Sequence, residues 1–538
     1  MIAQTSAETV VIAPMLVALV SAVAALLAGR RRRVRSVVAL GGVVGYAVAV
    51  GALAWTVVLA PDAPGIATYQ VGGLAAPFGI TLVADALSAF MLSMVATIAL
   101  ASIVFSRRYA AHSGSRTFYY PLCYFLLLGV TGSFLTGDLF NLFVWFEVML
   151  MASYVFVAYY GGPQHTRAAF WYVALNLLAS AVFLLGVGGI YAVTGTLNMA
   201  DLARRLADPA AYGIDPVPVV GLFALLLSVF AIKAGLVPFQ FWIPTAYRAA
   251  PPPITALLVG ATKKVGIYAI VRLSFTVLAG AQIGVSLELP IPGLGVAGDS
   301  PLAFVGAALF VMAAASILVG GLGAVGRDSI EGVLAYSSIG QIGFIAIPVA
   351  IAATTTSSGL RQVAIVAALV YALNHTLAKG LLFLAVGAVR SATGTSRLAE
   401  LGGLAGRSPP LAIAFFVGSL ALVGIPPLSG FFGKFLVFDA AARAGSAPVL
   451  GLLLGGSLLT IAYATRVWNR SFWGARTPAV DEATVDPVQV AVVLALAGAI
   501  LAVGVGFEPV YRFAELAAEA ALDAEGYVEA VDPGGELE

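Results

Sequence analysis

Of 538 residues, 61% are apolar and only 10% are Asp, Glu, Lys or Arg, against about 25% charged in soluble domains; with a mean hydropathy of +1.00 the chain reads as an all-α polytopic membrane protein. One cysteine (Cys123) and three histidines (His112, His165, His375) exclude an iron–sulfur cluster, a structural zinc site or a disulfide framework. No cofactor and no metal site are expected, and a net charge of +2 without a basic tail gives no reason to expect nucleic acid as a partner.

A spanning helix needs about 20 apolar residues. Fourteen such runs occur, at about 9–28, 37–60, 80–105, 119–136, 138–160, 169–193, 217–249, 254–280, 301–325, 330–353, 361–389, 409–442, 446–466 and 488–507. They predict one membrane domain over 1–507 and an acidic tail over 508–538. The first run is not expected to be a cleaved signal peptide, because MIAQTSAETV lacks a basic region and Arg30–Arg33 and Arg35 follow the run. Connections after odd-numbered runs hold seventeen Lys and Arg, and those after even-numbered runs hold four. The positive-inside rule then assigns the odd connections to the cytoplasm and both termini to the outside. The tail is expected to be extracytoplasmic, with an amphipathic helix near 509–525, and otherwise a solvated acidic end or a partner contact.

Six cations fall inside apolar runs: Lys233, Lys263, Lys264, Arg272, Lys379 and Lys434. Each costs about 2.5–3.5 kcal/mol at a helix centre. Glu147, nine residues into its run, sits roughly 14 Å deep at about 1.5 Å per residue. His375 lies four residues before Lys379, on the same helix face. Lys263, beside Lys264 but on another face, reads as snorkelling or structural, and Arg272 as reaching toward an interface. The others share one depth on different helices and cannot all snorkel. Titratable groups strung through hydrocarbon predict a proton relay or ion path, since removal from water penalises the charged form of a lysine and lets it exchange protons.

The two overlong runs read KAGLVPFQFWIP (233–244) and GIPPLSGFFGKF (424–435). Both contain a Gly-x-x-Pro step, Gly235 to Pro238 and Gly424 to Pro427, the second with Pro426 as well. Proline removes a backbone donor and clashes with the preceding turn. Matched breaks in two halves predict an inverted-repeat transporter whose path runs past them.

With these residues in place, the chain resembles the antiporter-like subunits shared by Mrp-type cation/proton antiporters, respiratory complex I and membrane-bound hydrogenases. The resemblance covers nearly all fourteen runs. It rests on GDLFNLFVWFEVMLMASY (137–154), KAGLVPFQFWIP, ATKKVGIYAIVR (261–272), LAYSSIGQIGF (334–344), NHTLAKGLLFLAVGA (374–388) and GIPPLSGFFGKF, in family order. GDLFNLFVWFEV and VGGLAAPFGITLVADALSA (71–89) look most like the MrpD branch of the Mrp-type Na⁺/H⁺ antiporters.

The resemblance implies two inverted five-helix repeats, about 119–280 and 301–466, each with one broken helix. It implies that Glu147 on the fifth helix pairs with Lys233 on the broken seventh. Lys264 on the eighth, His375 and Lys379 on the eleventh, and Lys434 on the twelfth continue the relay. It also implies a plasma-membrane hetero-oligomer of several membrane subunits that exchanges protons for Na⁺ (or Li⁺ or K⁺). The rival reading is a proton-pumping membrane subunit of a complex I-like NADH:quinone oxidoreductase or a membrane-bound hydrogenase. Two positions depart from the pattern: Gln240, where complex I relatives often have histidine, and Glu331 with Gly332, where basic residues are common.

Overall fold

In hydrocarbon every backbone N–H and C=O must be satisfied within its own segment, so long apolar runs become helices. The computed structural model describes residues 2–29, 31–109, 117–281 and 301–532, with side chains from residue 8 onward. Arg30, His112, Arg116 and the last six residues of the acidic tail lie outside the described residues. Among the described residues, twelve helices are long and apolar enough to cross a membrane, and two shorter apolar helices complete fourteen crossings.

In chain order the first eight crossings are α1 (Ile2–Leu27), α2 (Arg32–Leu59), α3 (Ala86–Tyr109), α4 (Tyr119–Leu135), α5 (Leu139–Ala158), α6 (Pro163–Thr194), the broken α7 (Val217–Ala234 and Trp242–Ala249) and α8 (Pro252–Val277). The other six are α9 (Pro301–Val325), α10 (Ile330–Thr354), α11 (Ser358–Thr393), the broken α12 (Pro409–Val423 and Ser429–Arg443), α13 (Ala447–Phe472) and α14 (Pro487–Val505). A hairpin of β1 (Ile66–Gln70) and β2 (Thr81–Asp85) joins α2 to α3, pairing Ile66 with Asp85 and Gln70 with Thr81.

Two inverted five-helix repeats, α4–α8 and α9–α13, show in matching local geometry. Asp138 and Ser329 cap α5 and α10, each side chain accepting a backbone N–H three residues on. The third helix of each repeat is overlong and ends on Thr-Gly-Thr, at 194–196 and 393–395. Gly195 (φ 72°) and Gly394 (φ 74°) take the left-handed turn that stops the helix. Thr194 and Thr393 donate to equivalent carbonyls, those of Ile190 and Thr196 in one case and Val389 and Thr395 in the other. Isolated bridges then join Asp138 to Asn198 and Ser329 to Arg397. Five crossings, α5 to α9, lie between the Asp138 and Ser329 caps, an odd number, so the two copies open on opposite faces.

Burial sorts the helices. The most apolar windows of α8, α10 and α11 are 100%, 94% and 94% buried, against 28% for α13 and 33% for α14. The lysine-bearing α8 and α11 therefore form the centre of the chain rather than its lipid face. Gly266 permits the closest approach of α8 to α7: a Cβ there would lie 2.6 Å from the Phe230 carbonyl and 2.7 Å from the Ala234 nitrogen.

The tail is not a free solvated end over its described length. It folds as α15 (Phe507–Leu522) and α16 (Ala524–Val531) and packs back on the chain. Phe513 meets Phe90 of α3 edge-on at 5.2 Å. Thr276 of α8 donates to the Ala521 carbonyl at 3.0 Å, and Gln362 of α11 to Glu519 at 3.0 Å. An amphipathic helix buries its apolar stripe, here Ala514, Ala517, Ala518 and Ala521.

Candidate functional site

Gly235, at φ 75°, ends the first half of α7 by donating to the carbonyls of Ala231 and Ile232. Trp242 then ties the second half to the first through its indole N–H on the Ile232 carbonyl, 2.9 Å away. Lys233 sits in the last turn before this break, where the helix dipole favours a cation. It is 2% exposed, and its Nζ has no hydrogen-bond partner.

Glu147 of α5 does not pair with it. Ser180 of α6 donates a short hydrogen bond to Glu147 Oε1, and no Glu147–Lys233 ion pair forms within 4.0 Å, although the carboxylate acts electrostatically on the lysine. In place of the expected contact the carboxylate accepts a hydroxyl hydrogen bond from Ser180.

A π-turn over Leu258–Thr262 widens α8 just before its two lysines, a distortion frequent at functional sites. Lys264 Nζ turns back to the Val259 carbonyl at 2.8 Å and meets His375 Nδ1 of α11 at 2.5 Å. His375 Nε2 is buried without a partner. Lys263 does not snorkel: it is fully buried and donates to the Ser338 carbonyl of α10 at 3.0 Å. Lys379 donates to the Leu334 carbonyl at 3.1 Å and to Ser337 Oγ. Lys263, Lys264, His375 and Lys379 lie close enough for their charges to act on one another.

Lys379 and Lys434 do not touch, and uncharged polar groups fill the interval. Tyr463 of α13 faces Ser337 and accepts from Gln341 Nε2 at 3.0 Å, while Gln341 also donates to Thr460 at 3.2 Å. Tyr371 of α11 donates to Gln341 Oε1. Lys434, 6% exposed, donates to Ser457 at 3.2 Å, its Nζ 5.1 Å from the centre of the Phe344 ring. The α12 break is held by Asn374 of α11, which donates to the Ala421 carbonyl at 3.3 Å and accepts from Ser429 at 2.9 Å.

Reading the sequence missed Ser180, Ser337, Gln341, Thr460 and Tyr463. A signal for one of them exists in the repeat. Counting fifteen residues back from Gly195 and Gly394 reaches Ser180 and Lys379, and nineteen reaches Asn176 and His375. The first repeat thus sets an acid on α5 against a hydroxyl on α6, and the second a hydroxyl on α10 against a lysine on α11.

Arg272 does not snorkel to a surface but is buried in an ion pair. Its guanidinium pairs with Asp85 at the end of β2 at 2.5 Å, both side chains at most 2% exposed. It stacks over Tyr268 and over Tyr527 of the tail, 5.4 and 5.0 Å from their centres. Glu331 opens α10 and pairs with Arg390 of α11 at 3.0 Å, which gives its departure from the family pattern a structural account. Gln240 lies buried in the α7 break with Oε1 unpartnered. Among the described residues no group of three or more His, Cys, Asp or Glu side chains could hold a metal ion.

The architecture has counterparts among known proteins. The family profile "NADH:quinone oxidoreductase/Mrp antiporter, TM" matches residues 136–289 and 301–460. The D-type subunit of the Na⁺/H⁺ antiporter of Alkalihalophilus pseudofirmus is 35% identical over 490 residues, 90% of this chain and 93% of the relative. A chain in the structure of the Mrp complex from Dietzia sp. DQ12-45-1b superposes with a TM-score of 0.82 at 29% identity, covering 98% of this chain and 99% of its own length. A chain of the membrane-bound sulfane sulfur reductase, an archaeal respiratory membrane complex, gives a TM-score of 0.83 at 26% identity, covering 97% and 100%. The chain belongs to the family of transmembrane subunits shared by NADH:quinone oxidoreductases and Mrp antiporters.

Proposed function

We propose that this multi-pass membrane protein is the proton-translocating subunit of a multisubunit Na⁺/H⁺ antiporter of the Mrp type, set in the plasma membrane with both termini outside. The observation that carries the reading is the contact of Lys264 with His375 inside a buried row of Lys233, Lys263, Lys264, Lys379 and Lys434 on four central helices. Titratable groups in hydrocarbon are costly and are kept where charge must move. The relay runs Glu147, Lys233, Lys264, His375, Lys379, Lys434. Making and breaking the Glu147–Lys233 pair changes the proton affinity of Lys264, because an opposite charge within about 4–6 Å favours the charged form. The hydrogen bond from Ser180 to Glu147 supports an open state of that pair. The breaks at Pro238 and at Pro426–Pro427 place Lys233 and Lys434 beside non-helical backbone, where the path can turn.

The likeness to the sulfane sulfur reductase chain favours one second reading, a proton pump powered by redox chemistry in partner proteins of its complex. Purifying the intact complex through a tag on this chain separates the two. A colourless assembly of small hydrophobic subunits, showing Na⁺-dependent pH change in inverted vesicles, supports the antiporter. Flavin or iron–sulfur absorbance from large soluble partners, with no cation-dependent pH change, would move the same path into a redox-driven pump.

A further inference from the structure

At the face opposite the tail, α6, the second half of α7, α10 and α11 leave a cavity of about 1260 Å³. It is lined by five arginines (Arg167, Arg248, Arg327, Arg390 and Arg397) and only two carboxylates. Both carboxylates are already engaged, Asp328 by Arg466 at 3.0 Å and Glu331 by Arg390 at 3.0 Å. Among the described residues Arg167 and Arg248 have no hydrogen bond or ion pair. The lining is therefore net positive, and two of its guanidinium groups are free.

A positive mouth repels protons and Na⁺, so the cavity is a poor funnel for the transported cations and a good receptor for an anion. Arginine rather than lysine supplies every cation in it, and the planar guanidinium fork matches phosphate oxygens in pairs. The cavity lies at the first turns of α6 and α10, the depth of lipid headgroups. Phe170 and Trp171 are 65% and 51% exposed on α6 beside Arg167, as aromatic side chains are at that level. The Lys/Arg count assigns this face to the cytoplasm, where anionic lipids concentrate and basic pockets between spanning helices hold their headgroups.

We infer that this cavity binds the phosphate of an anionic phospholipid headgroup, held by Arg167 and Arg248. The cavity is walled by both repeats, α6 and α7 from one and α10 and α11 from the other, while both phosphate-holding arginines belong to the first. The site lies apart from the buried lysines and does not depend on their role.

The test is native mass spectrometry of the whole detergent-solubilised complex, wild type against the double variant Arg167→Gln and Arg248→Gln. Both side chains are exposed and unpartnered, and subunit masses report assembly directly. The expected result is one phosphatidylglycerol fewer per complex in the variant and about tenfold weaker rebinding, from loss of two charge-assisted contacts, with phosphatidylcholine unaffected. Equal phosphatidylglycerol occupancy in both proteins would overturn the site. Displacement of that lipid from the wild type alone by millimolar inorganic phosphate would keep the anion chemistry but overturn the lipid as its source.

Discussion

Lys264 Nζ meets His375 Nδ1 at 2.5 Å where α8 crosses α11, while the opposite ring nitrogen, Nε2, is buried and unpartnered. A lysine N–H donated to Nδ1 leaves the proton of a neutral imidazole on Nε2. The histidine can then accept a proton at one nitrogen and release one at the other. This two-ended geometry sets its role apart from that of the lysines, which receive and return protons at a single nitrogen.

The two residues should therefore fail differently. Lys264→Ala removes the titratable group of α8 and should abolish Na⁺-driven pH change in inverted vesicles. His375→Ala leaves Lys264 its bond to the Val259 carbonyl and should lower the rate at least about tenfold without loss of assembly. Wild-type rates in His375→Ala would remove the histidine from the path.

Glu147→Gln retains the acceptor that Ser180 uses but loses the charge that acts on Lys233. Transport should vanish in Glu147→Gln and in Lys233→Ala, with the complex still assembled on a blue native gel. Ser180→Ala only releases the carboxylate and should change the rate by less than about tenfold, the loss of one hydrogen bond. Full activity in Glu147→Gln would show that the charge does not matter.

The sequence announced the helices because bilayer thickness fixes how long an apolar run must be. It announced the breaks in α7 and α12 because Gly235 and Gly424 each precede a proline by three residues. Lys233, Lys264, Lys379 and Lys434 stood out because a charge in hydrocarbon is costly. Their partners did not, because Ser180, Ser337, Gln341 and Tyr463 are uncharged and ordinary in membrane helices. Only the paired Thr-Gly-Thr turns could have aligned Ser180 with Lys379. Arg272 was misread because its partner, Asp85, lies 187 residues earlier in the chain, and depth along one helix says nothing of what another element brings to it. The amphipathic helix expected near 509–525 is present as α15, but acidity suggested a solvated end where the alanine stripe packs against the chain.

Ser337 and Tyr463 offer a test of the interval between Lys379 and Lys434. Ser337→Ala removes the hydroxyl that accepts from Lys379, and Tyr463→Phe removes the acceptor of Gln341 Nε2. Each should slow transport several-fold, and the double variant no more than the worse single, since both interrupt one chain of groups. Multiplicative losses would mean that the two act on separate paths.

The Asp85–Arg272 pair makes a prediction about stability rather than transport. Both charges are buried, and Tyr268 and Tyr527 flank the guanidinium, so the pair fastens β2 and the tail to α8. Removing one partner leaves the other charge buried alone, which costs about 3–5 kcal/mol, whereas replacing both with apolar residues of similar volume is often neutral. Asp85→Leu and Arg272→Met should each lower the melting temperature of the detergent-solubilised complex. The double variant should recover most of the loss, and the two singles should also expose the tail to protease at 507–531. Additive destabilisation would show that the tail is held by its apolar stripe and that the ion pair contributes little to fastening it.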